Sequence, residues 1–217
     1  MKKLFLLLFG SFTLFINAQD QDPKAKLILD DLSKTTKSYK TITADYNLVM
    51  YNKDKKLLEK QSGKVLIKGQ KFKLEIPGNT IVCDGKTLWN NNKDAKEVTI
   101  KNFDATNEDQ LNPSKIFTMY ETGYKYKFDK EEKIGAVTYN VIDLFPAVKP
   151  EKKKFHTIKL YVDKTKKQVG QLKMLMKDGG TQVYEIKTLK PNVEMPDNLF
   201  VFDLKGFKAD QINDERD

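Results

Sequence analysis

The amino-acid sequence predicts a mainly β protein with some α structure, in which a strongly curved antiparallel sheet or open barrel holds helices against its concave side. Three observations carry this prediction. Apolar residues alternate with polar ones along many short segments. Turn signals separate these segments at intervals of about ten residues. Only two segments show helical periodicity, and sheets with this many strands curl rather than stay flat.

The first residues have the features of a secretory signal peptide. A pair of lysines precedes an apolar run over residues 4–16, and Ile16-Asn17-Ala18 resembles a cleavage site before Gln19. The run is shorter than the roughly 20 apolar residues of a membrane-spanning helix. We therefore expect residues 1–18 to be cleaved, leaving residues 19–217 as one exported, soluble domain. Gln19 stands where a lipidated lipoprotein carries cysteine, so we expect no lipidation.

Two helices are predicted, one near the N-terminus and one between two groups of strands. Asp22-Pro23 fits an N-cap and first helical position, and the apolar spacing that follows indicates a helix over about residues 23–38. Asn112-Pro113 begins a second, shorter helix that ends near Gly123. We expect the apolar face of this second helix to close over the sheet as a lid. That face carries Ile116, Phe117 and Tyr120.

The strands are predicted from alternation with a period of two. Each has one apolar and one polar face, as in a sheet that is dry on one side only. Asp84-Gly85 between two apolar runs is a strong signal for a tight hairpin. The alternating apolar positions are Ile42, Ala44, Tyr46, Leu48 and Met50; Phe72, Leu74 and Ile76; Tyr124, Tyr126 and Phe128; and Ile158, Leu160 and Val162.

The chain is basic, but its cations do not suit nucleic acid. The formal net charge of +9 falls to about +7 when Lys2 and Lys3 leave with the leader. The only arginine is Arg216. Because the body of the chain lacks the guanidinium fork favoured for phosphate and base recognition, we expect no nucleic-acid partner. We interpret the lysines as solvated strand faces, with weak steering toward anionic membranes or acidic partners as the alternative.

The sequence offers few residues for catalysis. His156 is the only histidine and Cys83 the only cysteine, and no Gly-x-Ser-x-Gly elbow or zinc-binding pattern occurs. Cys83 follows Ile81-Val82 in an apolar segment and is interpreted as a buried core residue. We therefore expect no enzyme activity, no metal and no cofactor, and a binding function instead.

One stretch, Ile81 to Trp89, combines an apolar strand, an Asp-Gly turn and a Leu-Trp strand. Together with four other segments, taken in their order and spacing, it resembles the outer-membrane lipoprotein carrier proteins (LolA) over nearly the whole mature chain. The resemblance implies an open, incomplete antiparallel β-barrel of about eleven strands, with helical lids, around an apolar cavity. The supporting segments are Ser38-Tyr39-Lys40-Thr41, Gly63 to Lys68 with Lys71-Phe72, Lys177 to Thr181, and Asn198 to Asp203 with Gly206 and Asp210.

The resemblance also implies a function. A member of this family is expected to be a periplasmic carrier that shields the acyl chains of lipoproteins between the two membranes. Its implied partners are acylated lipoproteins as cargo, an ABC-type lipoprotein-releasing complex in the inner membrane, and an outer-membrane acceptor or the outer membrane itself. We expect the carrier to be a monomer.

The apolar face of the predicted sheet supplies the candidates for a cavity wall. Either the helices fill the concave side, or they leave room for a ligand, and the periodicity does not choose between the two. Ordinary core packing is the alternative for each candidate, and methionines would give a deformable lining. The candidates are Ile42, Tyr46, Leu48, Val65, Ile67, Phe72, Leu74, Trp89, Leu160, Leu172, Met174 and Met176.

One place departs from the family pattern. The family often has Arg-Pro before the Phe-containing strand, and that arginine is thought to tie the barrel to the lid. Here the corresponding residues are Gly69-Gln70. The lid must therefore be held by other groups, or be held more weakly.

Three other functions stay open. A carrier or sensor of free lipids or mislocalised lipoproteins could use the same fold. An envelope hydrolase acting on lipid or glycan would depend on His156 or a carboxylate pair at a pocket mouth. A β-rich structural or adhesive protein would have no internal cavity.

Overall fold

A computed structural model of the protein describes residues 21–107 and 112–216. The predicted signal peptide, residues 1–18, lies outside the described residues, as do the side chains of Ile116 and Phe117. Within these ranges the chain forms one α-helix and twelve strands. Helix α1 spans Pro23–Lys37. The strands are β1 (Ile42–Tyr51), β2 (Leu57–Lys68), β3 (Lys71–Ile76), β4 (Asn79–Cys83), β5 (Thr87–Asn92), β6 (Glu97–Asn102), β7 (Tyr124–Ile134), β8 (Val137–Pro146), β9 (Phe155–Asp163), β10 (Val169–Met176), β11 (Thr181–Pro191) and β12 (Ile212–Asp214).

Helix α1 begins where the sequence predicts. One carboxylate oxygen of Asp22 accepts hydrogen bonds from the backbone N–H groups of Lys24 at 2.8 Å and Ala25 at 3.2 Å. These bonds satisfy donors that have no partner inside the helix. At the other end, the hydroxyl of Ser38 donates to the carbonyl of Thr35 at 2.6 Å. In the part of the chain that the structure describes, no helix has the length and apolar character needed to cross a membrane.

All twelve strands form one open sheet in the order β12-β6-β5-β4-β3-β2-β1-β11-β10-β9-β8-β7. Neighbouring strands are antiparallel, except that β12 runs parallel to β6. Two meanders, β1–β6 and β7–β11, join where β1 pairs with β11. The predicted mainly β architecture with an N-terminal helix is confirmed. The sheet has twelve strands, one more than the roughly eleven expected, because the short β12 from the C-terminal segment extends it beyond β6.

One face of the sheet packs against helix α1 and carries the main hydrophobic core; we call it the inner face. Ala25, Leu29 and Leu32 of the helix are at most 2% exposed. They share one cluster with alternating residues of β1–β4 and β8–β10. This cluster draws on seven of the twelve strands, so the main core lies between helix α1 and the inner face of the sheet.

A smaller apolar cluster lies on the opposite, outer face, over strands β4–β6. The C-terminal segment that follows β11 crosses this face before it adds β12 to the sheet. The cluster therefore fastens the C-terminal segment to the sheet. Its members are Val82, Trp89, Val98 and Ile100, packed against Phe202, Leu204, Phe207 and Ile212.

The predicted lid takes the form of two short 3₁₀ turns rather than one α-helix. The turns span Pro113–Phe117 and Met119–Glu121, and we call residues 113–121 the crossing segment. Between them, Thr118 has a φ of −133°, far from the helical value, so the first turn cannot continue into the second. The segment ends before Gly123, whose φ of +80° suits a residue without a Cβ.

Candidate functional site

Most of the predicted wall residues come together on the inner face. Seven of the twelve are buried members of the main cluster, and Tyr46 and Met174 pack against it. Leu48 and Met176 are partly buried and lie outside this cluster. The alternation of apolar residues thus assembles one continuous apolar surface from distant strands. The seven buried residues are Ile42, Val65, Ile67, Phe72, Leu74, Leu160 and Leu172.

Trp89 lies apart from these residues, on the outer face. It is 9% exposed and pairs across the hairpin with Val82. Cys83 and Leu88 form the next pair and face the inner cluster. Because successive side chains of a strand point to opposite faces, Trp89 must point outward. The sequence contained a signal for this position. A buried, inward-facing Cys83 before the Asp84-Gly85 turn predicts that Trp89 lies on the outer face.

Further residues of the inner face were absent from the predicted wall. They come mainly from β8, β9 and β11. Ile158 and Ile186 stand between polar neighbours, so alternation in the sequence marks them, whereas Ile142 and Tyr184 each follow a valine and alternation does not single them out. They include Ile142, Leu144, Ile158, Val162, Tyr184 and Ile186.

A polar clamp holds the crossing segment to helix α1. Glu121 accepts a hydrogen bond from the hydroxyl of Ser33 and forms an ion pair with Lys37 at 2.7 Å. Burial alone would raise the pKa of Glu121, but the bonds from Lys37 and Ser33 hold this pKa below its ordinary value. Next to Glu121, the side chain of Tyr120 is 3% exposed and belongs to the main cluster. The crossing segment thus has a buried anchor and a charged clamp side by side.

The other end of the crossing segment meets the β2–β3 turn. The hydroxyl of Ser114 donates to the carbonyl of Gly69 at 3.5 Å. Gly69 has a φ of +60°, the left-handed region that glycine adopts without strain. At the place where the family often carries arginine, the polar contact that the described residues make with the crossing segment is this long hydrogen bond to the backbone. The stronger polar contact of the crossing segment is the one at Glu121.

A hollow of about 470 Å³ lies between the crossing segment and the adjoining ends of strands β7–β9. Such a volume falls within the range of small-molecule pockets. Tyr124 and Phe155 in its wall also pack against the main cluster, so the hollow adjoins the core under helix α1. Its rim includes Lys115, Val148 and Lys153. A chain-like apolar ligand entering here would lie next to the core.

The groups on which catalysis would depend are dispersed. Burial raises the pKa of the Cys83 thiol to about 11, so the thiol is protonated and unreactive at neutral pH. His156 is exposed on β9, with Nδ1 2.9 Å from the hydroxyl oxygen of Thr157. Among the described residues, no group of three or more His, Cys, Asp or Glu side chains is placed to hold a metal ion.

The structure resembles several solved structures, and these likenesses concern the fold alone. A crystal structure of an uncharacterised conserved protein from Thermus thermophilus has 14% sequence identity and a TM-score of 0.59, covering 89% of this chain and 99% of that one. A LolA superfamily protein from Nitrosomonas europaea has 13% identity and a TM-score of 0.41, covering 82% of this chain and 97% of that one.

Sequence comparison gives one distant relative and one family. The uncharacterised protein MJ0687 of Methanocaldococcus jannaschii is 28% identical over 206 residues, which cover 93% of this chain. The chain spans only 58% of the length of that protein. The sequence model of the family described as outer membrane lipoprotein carrier protein LolA matches residues 37–203, well over half of the chain. With the open sheet and its apolar inner face, this match shows that the chain belongs to the LolA family.

Proposed function

We propose that this protein is a periplasmic carrier that holds the acyl chains of lipoproteins against the inner face of its sheet. One observation carries the proposal. The apolar inner face of an open sheet is covered by helix α1 and by the crossing segment. The crossing segment is joined to the helix by the polar contacts of Glu121 with Ser33 and Lys37. Displacement of this cover would expose a continuous apolar surface beside an existing hollow.

Such a cover makes acyl binding reversible. Each CH₂ group of a buried acyl chain contributes about 0.8 kcal/mol. Displacing helix α1 exposes Leu29 and Leu32, at a cost of about 1.5–3 kcal/mol for each side chain. The cost of opening lowers the net affinity for the acyl chain, so that an acceptor with a permanently open site can withdraw the cargo.

Family membership supports the identity of the partners. We propose acylated lipoproteins as cargo, an ABC-type lipoprotein-releasing complex of the inner membrane as donor, and an outer-membrane acceptor or the membrane itself as recipient. In this scheme the protein is an exported monomer that moves cargo without a catalytic step of its own.

The test uses the mature protein, residues 19–217, mixed with spheroplasts that contain the native releasing complex and labelled lipoproteins. We expect labelled lipoprotein to leave the membrane as a one-to-one complex with the carrier, and only when ATP is supplied. A carrier in which the crossing segment is crosslinked to the sheet, so that this part of the cover cannot move, should release none.

Two results would change the proposal. If folded protein releases no lipoprotein in the presence of its native complex, the carrier function is wrong. If the purified protein also holds tightly bound lipid, the function to adopt instead is that of a carrier or sensor of free lipids with the same fold.

A further inference from the structure

Three turns meet at one end of the sheet. The backbone N–H of Lys177 donates to the carbonyl of Lys154 at 2.9 Å. Gly179 lies against Lys53, since a Cβ added to Gly179 would be 3.0 Å from the Cβ of Lys53. The turns therefore form one continuous surface, which we call the basic end. It consists of the β1–β2 turn (residues 52–56), the β8–β9 loop (residues 147–154) and the β10–β11 turn (residues 177–180).

The positive charge of the basic end is largely uncompensated. Its three turns carry eight lysines against three carboxylates. Seven of these lysines, all except Lys153, form no ion pair with a carboxylate of residues 21–107 or 112–216. At the opposite end of the sheet, by contrast, Lys164 pairs with Glu131 at 2.9 Å. The eight lysines are Lys53, Lys55, Lys56, Lys149, Lys152, Lys153, Lys154 and Lys177.

Exposed apolar side chains stand beside these lysines. Leu57 and Leu58 directly follow the β1–β2 turn and are 52% and 63% exposed, and Val148 in the β8–β9 loop is 48% exposed. Lysines beside exposed leucines are typical of surfaces that lie on an anionic bilayer. The ammonium groups attract the headgroups, and the apolar side chains enter the boundary of the acyl region.

The hollow opens at the same end. Val148 and Lys153 belong to the β8–β9 loop and also line the hollow, with Phe155 behind them. Contact of the basic end with a membrane would therefore bring the hollow to the lipid surface. No part of this arrangement requires a cargo molecule.

We infer that the basic end is a docking surface for an anionic phospholipid membrane. The lysines bind the phosphate groups of the lipids, and Leu57, Leu58 and Val148 enter between the headgroups. The interaction goes beyond the proposed carrier function because it needs neither lipoprotein nor releasing complex. The exposed leucines favour a lipid surface over an acidic protein, whose charged surface would leave them without an apolar environment.

Sedimentation with vesicles tests the inference directly. We expect mature protein, residues 19–217, to sediment with vesicles of phosphatidylcholine mixed with phosphatidylglycerol, and to stay in solution with vesicles of phosphatidylcholine alone. Raising the salt concentration should release the protein because salt screens exposed charges. Absence of sedimentation with the anionic vesicles at low salt would overturn the inference.

Charge reversal locates the surface. The double variant Lys152→Glu, Lys154→Glu should bind anionic vesicles at least about tenfold more weakly, since each lysine near the surface contributes about fivefold. The matched control is Lys133→Glu, Lys166→Glu, which makes the same change of charge at exposed positions of the opposite end. Equal losses in the two variants would show attraction by net charge only, and the basic end would not be a docking surface.

A leucine variant separates lipid docking from attraction to any acidic partner. Leu58→Ser should weaken vesicle binding several-fold, whereas Leu27→Ser, at a 69% exposed position of helix α1, should leave it unchanged. Thermal unfolding of all variants should match that of the parent protein, because the side chains are exposed. If Leu58→Ser binds as tightly as the parent, Leu58 does not enter the lipid and the inference is wrong for that part of the surface.

Discussion

The carboxylate of Asp22 accepts a hydrogen bond from the backbone N–H of Phe128 at 2.9 Å, and so joins the start of helix α1 to the edge strand β7. Its other oxygen caps the helix through Lys24 and Ala25. The bond from Phe128 is the main cause of a pKa of Asp22 below its ordinary value. One side chain thus fixes where the helix starts and where it docks on the sheet.

Replacement of Asp22 tests this double role. We expect Asp22→Ala to lower the free energy of unfolding by about 1–2 kcal/mol, because the helix loses its cap and the N–H of Phe128 loses its acceptor. Denaturant unfolding measures the change. Asp30→Ala, which removes only an exposed pair with Lys26, should cost less than about 0.5 kcal/mol. A cost for Asp22→Ala no larger than that of Asp30→Ala would contradict the double role.

The clamp at Glu121 should govern access to the inner face. Glu121→Gln removes the ion pair with Lys37, which at this partial exposure is worth up to about 1 kcal/mol. A fluorescent acyl probe should therefore bind up to about fivefold more tightly to the variant. The control Glu131→Gln removes the ion pair with Lys164, remote from the crossing segment, and should bind the probe as the parent does.

The same clamp predicts a dependence on pH. The pKa of Glu121 in the folded protein lies below its ordinary value of 4.5. Its contribution to clamp stability is therefore present above pH 4.5 and is lost as the pH falls through the lowered pKa. Acyl-probe binding should rise over that acidic range in the parent protein and rise less in Glu121→Gln, because the carboxyl of Asp22, whose pKa is also lowered, is common to both proteins. An identical rise in both proteins would assign the effect to another group.

Replacement of two buried valines distinguishes the binding role of the inner face from a general effect on the stability of the fold. Val65 belongs to the inner cluster at 7% exposure, and Val183 lies outside that cluster at 8%. An amide at either position should cost about 1–3 kcal/mol of stability, since it is buried without a designed partner. Only Val65→Gln should also lower acyl-probe binding, measured at a temperature where both variants are folded. Equal probe binding by both would argue against the inner face as the binding surface.

The position of Trp89 gives an optical test. Because Trp89 lies on the outer face, a brominated fatty acid bound on the inner face should leave its fluorescence nearly unchanged. In the variant Trp89→Phe, Phe155→Trp, the new tryptophan lines the hollow and should be quenched. Strong quenching of Trp89 in the parent protein would place the ligand on the outer face instead.

The sequence contains enough information to predict the strands and the start of helix α1, because both depend on local chemistry. Alternation placed Phe72 and Leu160 on one surface although they are far apart in the chain. The error at Trp89 came from judging a residue by its type instead of by its register with Cys83. The clamp between Ser33 and Glu121 joins residues 88 positions apart through polar side chains, and no local pattern reports such a contact.

An open sheet has two edges that could pair with another chain, and here both are restricted. On one side the edge strand is β12, which is only three residues long, and on the other Gln21 and Asp22 bond to peptide groups of β7. The rest of β7 includes Lys-Glu-Glu-Lys at residues 130–133, and charged side chains on an edge discourage pairing with a further strand. The sheet can therefore remain open for a ligand while its edges resist the strand-to-strand association that leads to fibrils.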